Sequence, residues 1–141
     1  MNISAVLLAG GESRRMGKDK ATLLFRRRPL WQIQFDLLRT LQPEEIFVSA
    51  RIDPPWRPAG VQFVSDKPPS RGPLSGLSAT LARISTDHLL VLAIDMPLMT
   101  EKYLHFKYDG RLPHWLLDLL LAPGLGDHLT PSHYALCRKK V

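Results

Sequence analysis

The residues best suited to chemistry lie near the start of the chain, where two glycines separate an apolar run from a group of cations. Residues 3–8 read ISAVLL and lead into Ala9-Gly10-Gly11. Glycines let a ligand approach the backbone, backbone amides donate hydrogen bonds to phosphate oxygens, and cations neutralise phosphate charge. The pattern predicts a nucleotide-binding loop at the end of a buried strand. The basic residues that follow are Arg14, Arg15, Lys18 and Lys20.

The loop differs from the two most common phosphate-binding patterns. A Walker A loop needs G-x-x-x-x-G-K-[ST], and here Gly17-Lys18 is followed by Asp19. A dinucleotide fingerprint needs G-x-G-x-x-G, which the stretch also lacks. The nucleotide must therefore be held by another arrangement of the same groups.

Residues 8–20 closely resemble the N-terminal signature of the MobA-like nucleotidyltransferases, L-A-G-G-x-S-x-R-M-G-x-D-K. The resemblance implies transfer of GMP from GTP to molybdopterin (the molybdenum cofactor) with Mg²⁺, giving the guanine dinucleotide form and pyrophosphate. Every fixed position is matched: Leu8, Ala9, Gly10, Gly11, Ser13, Arg15, Met16, Gly17, Asp19 and Lys20.

Two later blocks extend the resemblance over roughly residues 3–105. Residues 66–76 (DKPPSRGPLSG) are similar to the family's second block, and Asp95-Met96-Pro97 is similar to its Asp-x-Pro motif. The resemblance implies these roles: base-side contacts for Leu8, Ala9, Gly10 and Gly11; fixed positive charge for Arg15 and Lys20, with Lys20 on phosphate; a nucleotide contact for Asp66; and Mg²⁺ binding for Asp95.

Alternating strand and helix patterns predict an α/β fold with a single doubly wound, mostly parallel sheet, Rossmann-like in architecture. Apolar runs predict strands, and helical spacing of apolar residues predicts helices after Pro29, after Pro73 and near Thr100. Ligands collect at the carboxyl ends of strands in such sheets. The Gly-rich loop, Asp66 and Asp95 each follow a strand and should therefore converge. The predicted strands are 3–8, 46–50, 61–64 and 89–94.

Several of these residues also have structural interpretations. Asp66 can cap a turn before the prolines that follow it, and Asp95 can be a strand-end turn residue. Ser49 ends a strand near the expected site and is a candidate ribose contact. Trp31 and Trp56 are expected to pack against the core and a loop rather than to stack on a base.

Composition predicts one globular domain over residues 1–141, since 45% of the residues are hydrophobic and 23% are charged. The net charge is +6, but the basic cluster lacks the interleaved aromatics of a nucleic-acid surface, so we expect no nucleic-acid partner. A single cysteine, Cys137, and the absence of a spanning apolar segment or leader predict a cytoplasmic protein without a membrane partner. The arginines at 26–28 are expected to lie solvated in a turn.

The resemblance fades in residues 106–141, a divergent or truncated tail with no convincing alternating pattern of a strand. The family's late N-x-N-x-P motif is absent from it. The apolar segment 116–121 is expected to bury itself or to pair with a second copy of the chain. Two alternatives to guanylyl transfer stay open: a cytidylyl- or sugar-phosphate nucleotidyltransferase, and a nucleotide-binding protein with lost or weak transferase activity.

Overall fold

The computed structural model describes residues 2–10, 19–66, 73–98, 100–101, 104 and 135–138. Seven strands, two α-helices and one short 3₁₀ helix are assigned within these residues. Their bounds are β1 Ile3–Leu8, the 3₁₀ helix Lys20–Thr22, β2 Leu24–Phe25, β3 Arg28–Pro29, α1 Leu30–Thr40, β4 Glu45–Ala50, β5 Gln62–Ser65, α2 Pro73–Leu81, β6 His88–Ala93 and β7 Ala135–Arg138.

The main sheet has five strands in the order β5-β4-β1-β6-β7. Strand β1 lies at its centre and pairs in parallel with β4 and β6, and β4 pairs in parallel with β5. Parallel strands require crossover connections. Helix α1 connects the neighbours β1 and β4, and α2 lies in the connection that leads from β5, at one edge, across the sheet to β6. The predicted α/β fold with a mostly parallel sheet is confirmed.

The alternation of β1 explains why the sheet is covered on both faces. Ile3, Ala5 and Leu7 belong to one apolar cluster, and Val6 belongs to the other. Successive strand residues point to opposite faces, so a strand that is apolar at nearly every position needs a layer on each side. Helix α1 packs in the first cluster through Leu30, Phe35 and Leu38, and α2 packs against the second through Leu77, Ala79 and Leu81.

A short hairpin between the 3₁₀ helix and α1 did not follow from the sequence pattern. Strands β2 and β3 are antiparallel, and Arg26 and Arg27 form the turn with φ of 49° and 65°. Both arginines and Arg28 are exposed, as expected for this basic run. Arg28 also forms an ion pair with Asp36 of α1.

The tail adds a strand to the sheet, so the expectation that it contains no convincing strand is wrong. Strand β7 pairs antiparallel with β6, with Leu89 opposite Cys137 and Val91 opposite Ala135. The strand has only four residues. A run this short does not show enough alternation of apolar and polar residues to be distinguished from the surrounding sequence. The apolar segment 116–121 lies outside the described residues.

The helix expected near Thr100 agrees with the backbone hydrogen bond from Leu104 N–H to the Thr100 carbonyl, 3.1 Å long. Across the described part of the chain, no helix has the length and apolar character that crossing a membrane requires.

Candidate functional site

The carboxyl edge of the sheet brings together the segments that follow β1, β4, β5 and β6. Beyond β1, the Ala9 amide donates to the Ser49 carbonyl at 2.9 Å, and the Leu8 carbonyl accepts from the Ile94 amide at 3.1 Å. These two hydrogen bonds extend the pairing of β1 with β4 and β6 as far as Ala9, the residue before Gly10. The Gly-rich loop therefore begins at a fixed point in the centre of this edge.

Gly10 and Asp66 lie side by side although they are far apart in sequence. The Asp66 amide donates to the Ala50 carbonyl at 2.8 Å, which holds the end of β5 against β4. The Asp66 side chain is directed toward β1, because a Cβ placed on Gly10 would lie 3.3 Å from Asp66 Oδ2. Asp66 is only 6% exposed. A carboxylate this buried beside bare backbone is well placed to accept a hydrogen bond from a ligand hydroxyl or amine.

A small, partly open recess is formed where this pair meets α2. Its depth depends on close approach of α2 to β4, because a Cβ on Gly76 would come within 2.3 Å of Ser49 Oγ. Ser49 is 2% exposed and contributes its hydroxyl to the recess. The recess is lined by Leu8, Gly10, Ser49, Asp66 and Gly76.

Lys20 and Asp95 form a second pair at the same edge. The Lys20 Nζ lies 4.0 Å from Asp95 Oδ2, and the two side chains are 45% and 40% exposed. Lys20 is the first residue of the 3₁₀ helix, and Asp95 follows β6. An exposed ion pair at this distance contributes little to folding stability. Both groups are therefore available to a ligand that carries the opposite charges.

The structure brings together six of the eight predicted site residues. Gly11 and Arg15 lie outside the described residues. No group of three or more His, Cys, Asp or Glu side chains suited to hold a metal occurs in the described segments. The six residues at the edge are Leu8, Ala9, Gly10, Lys20, Asp66 and Asp95.

Trp31 and Trp56 pack as the sequence analysis expected. Their rings stack with centroids 5.9 Å apart and an angle of 14° between planes. The Trp56 indole N–H also donates to Asp19 Oδ2 at 2.8 Å, a contact that was not predicted. The only signal for this contact in the sequence is a tryptophan within a proline-rich loop, which does not identify its partner.

A parallel sheet with bare backbone, carboxylates and a lysine at its carboxyl edge defines an α/β protein suited to bind a nucleotide. Residues 5–111 match the model of the MobA-like NTP transferase domain family. The chain belongs to that family.

Two relatives carry the name molybdenum cofactor guanylyltransferase. The protein of Xanthomonas euvesicatoria pv. vesicatoria (strain 85-10) is 38% identical over 104 residues, which cover 72% of this chain and 51% of that protein. The protein of Pasteurella multocida (strain Pm70) is 30% identical over 152 aligned positions, covering 92% of this chain and 79% of that protein. The chain thus spans about half the length of the first relative.

Among solved structures, the fold is similar to that of Rv0371c from Mycobacterium tuberculosis H37Rv. The TM-score is 0.66 at 21% sequence identity, and the superposition covers 77% of this chain and 59% of that one. At this identity the likeness supports the fold alone.

Proposed function

We propose that this chain binds GTP at the carboxyl edge of the sheet and transfers GMP to the molybdenum cofactor, with release of pyrophosphate. The observation that carries the proposal is the Lys20–Asp95 pair, 4.0 Å apart, beside a recess of bare backbone. A bound triphosphate needs its negative charge neutralised and a metal ion held beside it. The exposed ammonium group of Lys20 suits the first need, and the exposed carboxylate of Asp95 suits the second. The names of the two relatives favour guanine as the base and molybdopterin as the acceptor.

The base and ribose are assigned to the recess around Gly10. Because the Ala9 amide already donates to Ser49, Ala9 has only its carbonyl left to offer, and a carbonyl accepts from the N–H groups of a base. Gly10 has no side chain to obstruct this approach, and Asp66 supplies an acceptor for a ribose hydroxyl. Gly11 is assigned to the base side by its place in the signature.

The phosphates are assigned to Lys20, which lies at the same edge of the sheet. Its ammonium group supplies positive charge to the phosphate oxygens, and Arg15 is proposed as a second cation from the same loop. Asp95 is proposed to hold Mg²⁺. A single, 40% exposed carboxylate suits this ion, which commonly binds one or two carboxylates and completes its coordination with water and phosphate oxygens. When bound, Mg²⁺ would neutralise charge on the phosphates.

In the proposed reaction, an acceptor oxygen attacks the α-phosphorus of GTP. The new P–O bond forms as the bond to pyrophosphate breaks, and negative charge grows on the departing group. Lys20 and Arg15 counter this charge from fixed positions, so the chain contributes mainly positioning and electrostatic stabilisation. Leu8, Ala9 and Gly10 keep the nucleotide in place during the step.

Nucleotide choice is tested by thermal unfolding with ATP, GTP, CTP and UTP, each with and without Mg²⁺. A ligand that binds only the folded chain raises its stability in proportion to ln(1 + [L]/Kd). We expect the largest shift with GTP, and a larger shift with Mg²⁺ than without it. Protection by CTP equal to that by GTP would instead favour the cytidylyltransferase alternative.

Transfer is tested by incubating the chain with GTP, Mg²⁺ and molybdenum cofactor, and by measuring guanine dinucleotide and pyrophosphate. Equal amounts of both products are expected. GTP binding without either product would support the alternative of a nucleotide-binding protein without transferase activity. That outcome is compatible with the chain spanning about half the length of the Xanthomonas relative.

We also propose that residues 1–141 act as one domain, because β7 from the tail joins the same sheet as β1. A cytoplasmic location is proposed on the single cysteine, Cys137, which is in keeping with a reducing compartment. Pairing of two copies through segment 116–121 is part of this proposal. Size-exclusion chromatography with light scattering tests it, and a monomer at micromolar concentration would contradict it.

A further inference from the structure

Asp19, which precedes Lys20, is held through both carboxylate oxygens. Its Oδ1 accepts from the Ala21 amide at 3.0 Å and thereby caps the 3₁₀ helix. Its Oδ2 accepts from the Trp56 indole N–H at 2.8 Å, across 37 residues of sequence. The first bond is local, and the second joins the end of the Gly-rich loop to the loop after β4.

Trp56 is itself fixed by aromatic contacts with α1. It stacks on Trp31 at 5.9 Å, and its ring centroid lies 6.3 Å from that of Phe35 at an angle of 53°. Stacked and tilted arrangements in this distance range are favourable. The direction of the indole N–H is therefore set by a helix that packs on the central sheet.

The loop that carries Trp56 is braced on its other side. Arg57 donates to both oxygens of Asp53, at 2.7 and 2.8 Å, and to the Val61 carbonyl at 2.6 Å. The hydrogen bonds from Arg57, with a smaller contribution from its charge, lower the pKa of Asp53. Proline further restricts the backbone. The prolines of the loop are Pro54, Pro55 and Pro58.

These contacts bear on Lys20 because its own side chain is weakly restrained. Its ammonium group is 4.0 Å from Asp95, and 45% of its side chain is exposed. The place from which this long side chain extends is set by the 3₁₀ helix, and Asp19 caps that helix. The carboxylate that Lys20 approaches is that of Asp95. The two oxygens of Asp19 instead accept hydrogen bonds from the N–H groups of Ala21 and Trp56.

We infer that Trp56 is a positioning residue for Lys20 and acts through Asp19, an inference that rests on the proposed function. The braced loop after β4 holds the indole N–H, the indole holds the carboxylate, and the carboxylate fixes the start of the helix that presents the lysine to the triphosphate.

The test compares Trp56→Phe with Trp31→Phe. Both substitutions replace one indole of the same stacked pair with a smaller ring. Only Trp56→Phe removes the N–H that donates to Asp19. With the nucleoside triphosphate that protects the wild-type chain best, we expect Trp56→Phe to raise Kd about three- to tenfold, a loss comparable with the net free energy of one ordinary hydrogen bond. Trp31→Phe should change Kd less than twofold. Thermal unfolding without nucleotide monitors the stability of both variants.

A double-mutant cycle with Lys20→Ala separates positioning of Lys20 from general damage. If Trp56 acts through Lys20, adding Trp56→Phe to Lys20→Ala should weaken binding no further, whereas independent effects would multiply. Asp19→Asn provides a second variant if Trp56→Phe does not fold. Its side-chain oxygen can still cap through Ala21, but its amide opposes the Trp56 N–H, so we expect a similar rise in Kd.

Wild-type Kd in both Trp56→Phe and Asp19→Asn would overturn the inference. Equal losses in Trp56→Phe and Trp31→Phe, or multiplied losses with Lys20→Ala, would also overturn it, because they indicate damage to the stack rather than placement of the lysine. A wild-type chain that binds none of the four nucleotides would overturn the proposed function as well, which distinguishes the two failures.

Discussion

Substitution of Gly76 by alanine tests whether the close contact between α2 and β4 limits the site. The new Cβ would lie 2.3 Å from Ser49 Oγ and 3.2 Å from Ser49 Cβ. The first distance is far inside van der Waals contact and requires Ser49 or the helix to move. Ser49 is 2% exposed, so its hydroxyl has little room to rotate into.

Two effects of opposite sign set the expected magnitude. Overpacking of a well-packed site typically destabilises a protein by about 1–3 kcal/mol. Alanine is better than glycine in a helix by up to about 1 kcal/mol, and Gly76 lies inside α2. We therefore expect Gly76→Ala to lower the free energy of unfolding by about 1 kcal/mol.

The decisive measurement is the same substitution in a Ser49→Ala background. Without Oγ the shortest contact with residue 49 is the 3.2 Å one to Cβ, which requires a shift of only a few tenths of an ångström. We expect Gly76→Ala to be neutral or slightly stabilising there, so that the two changes couple by about 1–2 kcal/mol. Urea unfolding at constant m-value supplies all four free energies.

Gly60→Ala is the matched control for this cycle. Gly60 has φ of +81°, and a Cβ placed on it would have no atom of the described residues within 4 Å. Its substitution should destabilise the chain through backbone strain alone and show no coupling with Ser49→Ala. If Gly76→Ala is as stable as the wild type, or if Ser49→Ala does not reduce its effect, then contact between α2 and β4 is not what requires glycine at this position.

Four further predictions concern Gln34 of α1, the Arg26-Arg27 turn, Lys20 and Asp95. Gln34→Met should raise the free energy of unfolding by about 1–3 kcal/mol in urea unfolding, because Gln34 is fully buried and neither polar atom of its amide has a hydrogen-bond partner among the described residues; an unchanged midpoint would contradict this. Replacing Arg26 with asparagine and Arg27 with glycine should stabilise the hairpin by about 1–2 kcal/mol, since both turn positions have positive φ, and a lower melting temperature would count against it. Lys20→Ala should weaken GTP binding by about 1.5–3 kcal/mol in calorimetry, and wild-type affinity would exclude its phosphate contact. Asp95→Asn should leave the fold intact and make GTP affinity insensitive to Mg²⁺, whereas a retained Mg²⁺ dependence would place the metal elsewhere.

The four parallel strands were predictable because each is apolar enough to be buried and lies between clear breaks. Prediction and structure agree for β1. They differ by one residue at the start of β4 and at both ends of β5 and β6, as for β6 at His88–Ala93 against the predicted 89–94. Convergence of Asp66 and Asp95 with the Gly-rich loop followed from the rule that parallel strands end at one edge. That part of the site required only that the strands be parallel.

Features that depend on tertiary contacts could not be obtained in this way. The Arg26-Arg27 turn lacks the asparagine and glycine that usually indicate a tight hairpin. Gln34 reads as a surface residue, yet it lies on the buried face of α1. The bond between Trp56 and Asp19 spans 37 residues, and neither side chain indicates the other.

The antiparallel pairing of β7 with β6 has a consequence for the order in which the chain folds. Strands β1, β4 and β5 are complete by Ser65, whereas β6 receives its second neighbour only from Ala135–Arg138. Until that late contact forms, β6 presents an apolar edge with unpaired backbone groups, which favours association with other chains. Bringing distant segments together also carries a loop-closure entropy, so such contacts form slowly. Strand β7 therefore covers this edge of the sheet only after its residues have paired with β6.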